Sequence, residues 1–313
     1  MTHPAPPSGA RSKRDLVSIA DLTRDQLEEL FTLALRLKTD RRKGWPHPLL
    51  AGKTLAMIFE KPSLRTRVTF EAGMYQLGGH AIYLAPPDIG LGTRETVPDV
   101  AQNLSRWVDL IMARTFAHST VVDLAKHATV PVINGLSELL HPCQILADCL
   151  TLIERRGRLD GLKVAFIGDG NNVVNSWVNA AAKLSFSFAL ACPSGYEPDA
   201  GVLAAARQAG AQVAITTSIA EAVRDADAVY TDVWTSMGQE KESAMRREAF
   251  RDYQLNAGVM ALAKPDALVM HCLPAHRGEE ISAEVLDGPQ SVVLDQAENR
   301  LHIQKAIMVW LVG

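Results

Sequence analysis

Little in this chain points to an oxidising compartment, a membrane or a polyanionic partner. Its 313 residues carry four cysteines, at positions 143, 149, 192 and 272, with no Cys-x-x-Cys pair and no metal-ligand spacing. That usage fits a reducing cytoplasm better than a secreted disulfide scaffold. No apolar run approaches the ~18 residues of a membrane span, and the first fifteen residues lack the apolar stretch of a signal peptide. The formal net charge is −3, so the concentrated basic surplus of a nucleic-acid binder is missing. The expectation is a soluble, cytoplasmic protein with neither a nucleic-acid nor a membrane partner. What is present is ordinary for a globular chain: 47% hydrophobic and 21% charged residues, enough to bury a core. At this length two domains are the default. The basic cluster Arg11, Lys13, Arg14 lies in a Pro/Gly/Ser-rich start and reads as a flexible, solvated tail over residues 1–14.

Residues 21–38 give an amphipathic helix, with Leu27, Leu30, Phe31 and Leu35 at helical spacing. Short apolar runs then alternate with helix-length segments. The first series is Thr54 to Phe59, His80 to Leu84, Leu110 to Ala113 and Val130 to Ile133. A helix over Gln144 to Arg156 and a turn at Gly157 to Gly161 separate it from a second series. That series is Leu162 to Ile167, Phe186 to Ala191, Val213 to Thr216, Ala228 to Val233 and Ala267 to Met270. Such alternation predicts an α/β fold of two doubly wound parallel-sheet domains, 1–148 and 149–313, joined by interdomain helices. A last helix over about 299–313 is expected to fold back, and either domain is open to it.

Five segments carry candidate chemistry. In Ser63-Leu64-Arg65-Thr66-Arg67, after a strand and opening a helix, two hydroxyls and two arginines meet a helix N-terminus, which suits a phosphate. A plain helix cap with surface arginines fits these residues equally well. His141-Pro142-Cys143-Gln144 starts a helix, and Arg114 ends an earlier strand, so all can share one crevice beyond the strand ends. Gly168-Asp169-Gly170-Asn171-Asn172-Val173 occupies the place of a dinucleotide fingerprint, but Val173 stands where the third glycine belongs. That disfavours a nucleotide-dependent oxidoreductase. Asn172 offers an amide to a zwitterionic ligand, or serves only as a turn residue. In Asp232-Val233-Trp234-Thr235-Ser236-Met237-Gly238 a carboxylate and a hydroxyl one turn apart can grip an ammonium group, or Asp232 is a cap. In His271-Cys272-Leu273-Pro274 the cysteine is either core or functional, and Pro274 favours a tight turn presenting backbone groups. Glu298-Asn299-Arg300 places a cation near the closing helix.

Taken in order from about residue 50 to the end, these segments resemble the aspartate/ornithine carbamoyltransferase family. Ser63 to Thr66 matches its Ser-x-Arg-Thr signature and His141 to Gln144 its His-Pro-x-Gln motif. Asp232 with Ser236-Met237-Gly238, and His271 to Pro274, resemble the ornithine branch. The resemblance implies carbamoyl transfer from carbamoyl phosphate to the side-chain amine of L-ornithine, giving citrulline, in arginine or urea-type metabolism. The alternatives are putrescine or an acylated ornithine as acceptor. It implies a carbamoyl-phosphate site of Ser63, Leu64, Arg65, Thr66, Arg114, His141, Gln144, Cys272, Leu273 and Arg300, and an ornithine site of Asn172, Asp232, Ser236 and Met237. Catalysis would rest on Arg114 and His141, with the Thr66 hydroxyl, at the carbonyl oxygen, and on Asp232 with Cys272 at the amine. No metal or organic cofactor is called for. The family further implies a homotrimer or multiple of trimers, in which a Gln or His at the place of Gly90 reaches a neighbour's phosphate. Gly90 cannot do so, and Arg94 is the candidate substitute.

Overall fold

The computed structural model describes residues 13–235 and 240–313. All nine apolar runs are strands. β1 (Thr54–Phe59), β2 (His80–Leu84), β3 (Leu110–Arg114) and β4 (Val132–Leu136) form one sheet in the order β2-β1-β3-β4. β5 (Lys163–Ile167), β6 (Ser187–Ala191), β7 (Gln212–Thr216), β8 (Ala228–Thr231) and β9 (Leu268–His271) form the second in the order β7-β6-β5-β8-β9. Every neighbouring pair of strands is parallel. Interior strands such as β1 and β3 are buried along nearly their whole length, whereas the edge strands β2 and β7 alternate with solvent, as helix-covered parallel sheets require. Strand order reverses between β1 and β3 and again between β5 and β8, which opens a crevice beyond the carboxyl ends of both sheets.

Helices join the two sheets. The first, Arg24–Arg42, starts in a capping box of Thr23 and Gln26 and buries Leu27, Leu30, Phe31 and Leu37, with Leu35 half-buried. The interdomain helix Pro142–Arg156 opens on proline and stops at Gly157, whose φ of 74° fits the left-handed C-terminal position. The closing helix Val293–Val312 packs on both of these and on the helix Leu64–Gln76. A single apolar core therefore runs from Leu30 and Phe59 through Leu146 and Ile307 to Val164 and Trp177. Within it the buried Lys38 ammonium lies 2.8 Å from Glu154 and 2.7 Å from the Asn299 oxygen, tying the three helices by charge. Among the described residues no helix is long and apolar enough to cross a membrane.

Three local expectations change. The closing helix begins at Val293, ahead of Asn299, because the polar Gln296 and Asn299 that blur its apolar periodicity are themselves buried. β4 starts after Pro131, which has no N–H to give the ladder, and runs on through Asn134 and Gly135. Lys13 and Arg14, assigned to the solvated tail, are both engaged. Lys13 bonds the carbonyls of Ala125 and Ala128, and the Arg14 guanidinium lies 4.2 Å from the Trp310 ring centroid and 2.7 Å from its carbonyl.

If the closing helix fastens the domains by its buried face, Ile307→Ala should destabilise the protein by about 2–5 kcal/mol. Leu294→Ala, on a side chain 76% exposed, should stay within about 0.5 kcal/mol. Urea unfolding of both variants against the parent chain measures the contrast.

Candidate active site

The carboxyl ends of β1, β3, β5, β8 and β9 open onto one cleft of about 480 Å³. After β1 the chain turns at Pro62 and enters a helix at Leu64. Ser63 caps it, its hydroxyl accepting the Thr66 N–H at 3.3 Å. The cap is therefore present, and it leaves the first turn of the helix at the cleft. Three guanidiniums converge there. Arg65 comes from the helix start, Arg114 from the end of β3 and Arg300 from the closing helix, and all line the cleft. Arg114 and Arg300 are buried, and among the described residues none of the three has a carboxylate in ion-pair contact. Burial, together with Arg300 and Arg65, lowers Arg114 to about 10. Arg300 is held by neutral groups, the Gln144 carbonyl oxygen at 2.6 Å and the Thr66 hydroxyl at 3.0 Å.

His141 lies beside them, its ring Nδ1 without a hydrogen-bond partner among the described residues. Burial first, then Arg300, Arg114 and Arg65, pushes its pKa well below the ordinary value, so the imidazole is neutral. Its orientation follows from the helix start, because its own N–H donates to the Ser176 hydroxyl at 2.8 Å. Gln144 is oriented from behind: its amide nitrogen donates to Asp148 at 2.9 Å. Asp148 also accepts from Gln296 and from the Tyr230 hydroxyl, each at 2.9 Å. Burial raises that carboxyl to about 6 against these hydrogen bonds.

The opposite wall comes from the second sheet. Asp232, just beyond β8, accepts the Cys272 thiol at 3.0 Å and the Asn171 amide at 2.9 Å. Burial and the adjacent Asp232 push the Cys272 thiol well above its ordinary value. Leu273 follows in a left-handed conformation, φ 57°, before a cis peptide bond to Pro274. Its carbonyl crosses the cleft to Arg65 at 2.5 Å. Asp232, His271 and Cys272 offer donor atoms within 4.8 Å of one another. Those of His271 and Asp232 are already engaged within the protein.

The cleft thus brings together Ser63, Leu64, Arg65, Thr66, Arg114, His141, Gln144, Asn172, Asp232, Cys272, Leu273 and Arg300. Ser236 and Met237 lie outside the described residues. Asn172 reaches the cleft, but its amide nitrogen is committed to the Ser137 carbonyl at 2.7 Å. The helix cap is Asn171, whose oxygen accepts from Val173 and Val174. Arg94 is exposed, outside its own chain's cleft and without a carboxylate in contact among the described residues. Lys61, Thr235 and His276, not among the expected site residues, also line the cleft, and Asn171, an Asn immediately before an apolar helical run, bonds Asp232 from behind it.

Two family models together match nearly the whole chain. The aspartate/ornithine carbamoyltransferase carbamoyl-P binding domain covers residues 14–154, and the Asp/Orn binding domain of the same family covers 160–311. Ornithine carbamoyltransferase of Syntrophus aciditrophicus is 55% identical over 301 residues, spanning 96% of this chain and 100% of that protein. The enzyme of that name from Methanoculleus marisnigri is 53% identical, over 96% of this chain and 97% of its own length. The solved ornithine carbamoyltransferase from Pyrococcus furiosus superposes with a TM-score of 0.92 at 51% identity, covering 95% of this chain and 96% of that one. With the signature segments assembled in one cleft, the chain belongs to the aspartate/ornithine carbamoyltransferase family.

Proposed function

We propose that this protein is an ornithine carbamoyltransferase, moving the carbamoyl group of carbamoyl phosphate to the side-chain amine of L-ornithine to give L-citrulline and phosphate. One observation carries the reading. Three arginines with no carboxylate among them face, across one cleft, a carboxylate already bonded to a thiol. The first end attracts a phosphate dianion and the second an ammonium. Residues 1–148 hold the phosphate side and 149–313 the amino-acid side, with the closing helix packing back on the first domain.

In this reading Arg65, Ser63 and the free N–H groups at the helix start neutralise the phosphate, with Leu64 contributing its backbone. Arg114 and neutral His141 hydrogen-bond the carbamoyl oxygen as it gains negative charge. The Thr66 hydroxyl accepts from Arg300, which leaves its own proton free to donate to the carbonyl oxygen. The Gln144 and Leu273 carbonyl oxygens, which accept from Arg300 and Arg65, each keep a second lone pair for the carbamoyl nitrogen. Asp232 and Cys272 orient the δ-amine, and Asn172, Ser236 and Met237 serve the amino-acid head group. Four cysteines without a disulfide support a cytoplasmic setting, and the reaction belongs to arginine metabolism in either its synthetic or its ornithine-recovering direction. A homotrimer is the expected assembly: Leu64, Val68 and Tyr75 expose apolar surface along one helix, of the kind a subunit interface covers.

Labelled carbamoyl phosphate offered with ornithine, putrescine, acetylornithine or aspartate tests the assignment. Transfer should be fastest to ornithine, and a preference for another amine would replace it. Arg65→Ala should weaken carbamoyl-phosphate binding by about 100-fold, the scale of losing charge-assisted bonds to a dianion, with the fold intact. Calorimetry and circular dichroism read both quantities.

Asp232→Asn and Cys272→Ser should each lower turnover by about 100-fold while changing carbamoyl-phosphate affinity little, since both act on the amine side. Turnover within threefold of the parent for both would remove them from the mechanism.

The loop from Gly90 to Glu95 holds two glycines at positive φ, 53° and 73°, so it can close over an anion. Arg94 is assigned to a neighbour's phosphate site in place of the side chain absent at Gly90. Inactive Arg94→Ala chains mixed with inactive Arg65→Ala chains should therefore regain partial activity. Mixed trimers without activity would confine Arg94 to its own chain.

A further inference from the structure

Behind the cleft, two fully buried titratable side chains face each other. His271 ends β9, Glu280 lies nine residues on, and neither has exposed surface. The imidazole Nε2 stands 3.1 Å from Glu280 Oε1, while its Nδ1 receives the Leu273 N–H at 2.8 Å. A backbone N–H can only donate, so Nδ1 keeps its lone pair and the ring proton sits on Nε2, which donates to the carboxylate. The same carboxylate oxygen accepts the His276 N–H at 2.6 Å, so one side chain pins the intervening loop at both ends. Burial alone would raise the Glu280 carboxyl. The hydrogen bonds from His271 and the His276 amide hold it below its ordinary value instead.

Leu273 is what this arrangement holds. Its left-handed φ of 57° is a conformation that a side chain with a Cβ adopts only under constraint, and in it the carbonyl meets Arg65 across the cleft. With the proton on Nδ1 instead, the ring would oppose the Leu273 N–H donor to donor, and the turn would have to move. Cys272 sits between the two bonded residues and would move with it. We propose that Glu280 is a positioning residue for carbamoyl transfer, selecting the His271 tautomer that fixes the Leu273 carbonyl and the Cys272 thiol toward the reacting groups. This deepens the carbamoyltransferase reading and rests on it.

Glu280→Gln and Glu280→Leu in the full chain separate the outcomes. The glutamine carbonyl can still accept from both His271 and His276, so Glu280→Gln should keep kcat within about threefold. Glu280→Leu removes the acceptor and should lower kcat by about 10- to 100-fold, the scale of a sub-ångström to ångström misplacement of reacting groups. Its affinity for inorganic phosphate, bound from the other domain, should stay within threefold. Nitrogen NMR of histidine-labelled protein should show His271 protonated on Nε2 in the parent and Glu280→Gln chains, and with Nδ1–H present in Glu280→Leu. Equal losses in both variants, or an unchanged kcat in folded Glu280→Leu, would overturn the proposal. Should Glu280→Leu not fold, the parent spectrum decides alone, and a proton on Nδ1 of His271 overturns the assignment. A parent chain that transfers carbamoyl to no amine would defeat the carbamoyltransferase reading and leave the tautomer result standing.

Discussion

Three guanidiniums converge on one cleft with no carboxylate among them, and the rest of the molecule is arranged so that this can persist. Like charges in a partly buried site repel strongly; burial first, then Arg300 and Arg65, lower the Arg114 guanidinium. Each cation therefore arrives on a different rigid element: a helix start, a strand end and the middle of the closing helix. Arg114 and Arg300 are buried, on elements that pack into a core extending through both sheets. Neutral oxygens on Gln144 and Thr66 hold Arg300 in place without cancelling its charge. The strain is relieved only by an anion, and a dianion relieves more of it than a monoanion. That preference supports the proposed phosphate site.

Fold and site cannot be separated here, because the same helix serves both. The closing helix supplies Ile303 and Ile307 to the core and Arg300 to the cleft. It also supplies Gln296, which bonds Asp148 on one side and the His271 N–H on the other. Asp148 in turn holds Gln144 in the first half of the site and Tyr230 on β8 in the second. An ionised carboxylate only accepts, so it dictates the direction of all three donors around it and thereby which face of the Gln144 amide meets the cleft. Bonds of 2.9 Å through Asp148 thus link one wall to the other.

Much of this was legible from residue order alone, and what was not has a common cause. Parallel sheets announce themselves by local apolar runs, and all nine runs are strands. The segment Ser63 to Thr66 stood out because hydroxyls, an arginine and a helix start are neighbours in sequence. The pairs Lys38–Glu154, Tyr230–Asp148 and His271–Glu280 were invisible. Buried polar partners on different elements leave no periodicity, and each alone looks like a misplaced surface residue. The early start of the closing helix was lost for the same reason. Gln296 and Asn299 read as solvent-facing when they are the polar seam of the core. Asn172 shows the converse: it lines the cleft, yet its amide nitrogen bonds the backbone of Ser137, a partner its sequence neighbours did not announce.

The protonation states across the cleft also bear on how the transfer proceeds. Free ornithine would present its amine as an ammonium, with a pKa near that of lysine, ~10.4, so a proton must leave. His141 is too weak a base to take it, since burial and three guanidiniums hold it neutral. The Cys272 thiol gives up its own proton only at high pH, because its thiolate would lie buried against Asp232. The ammonium gives up one proton before attack, beside the Asp232 carboxylate, and the second, shed by the nitrogen after attack, can go to the departing phosphate, which gains basicity as the carbamoyl bond breaks. A side-chain base would in any case contribute only about 100- to 10,000-fold, or roughly 3–5 kcal/mol. Holding two reactants in register contributes up to about 7–11 kcal/mol. On that comparison the chain spends its buried polar groups where they matter most, on fixing Gln144, Leu273, Arg300 and Asp232 in direction rather than on building a strong base.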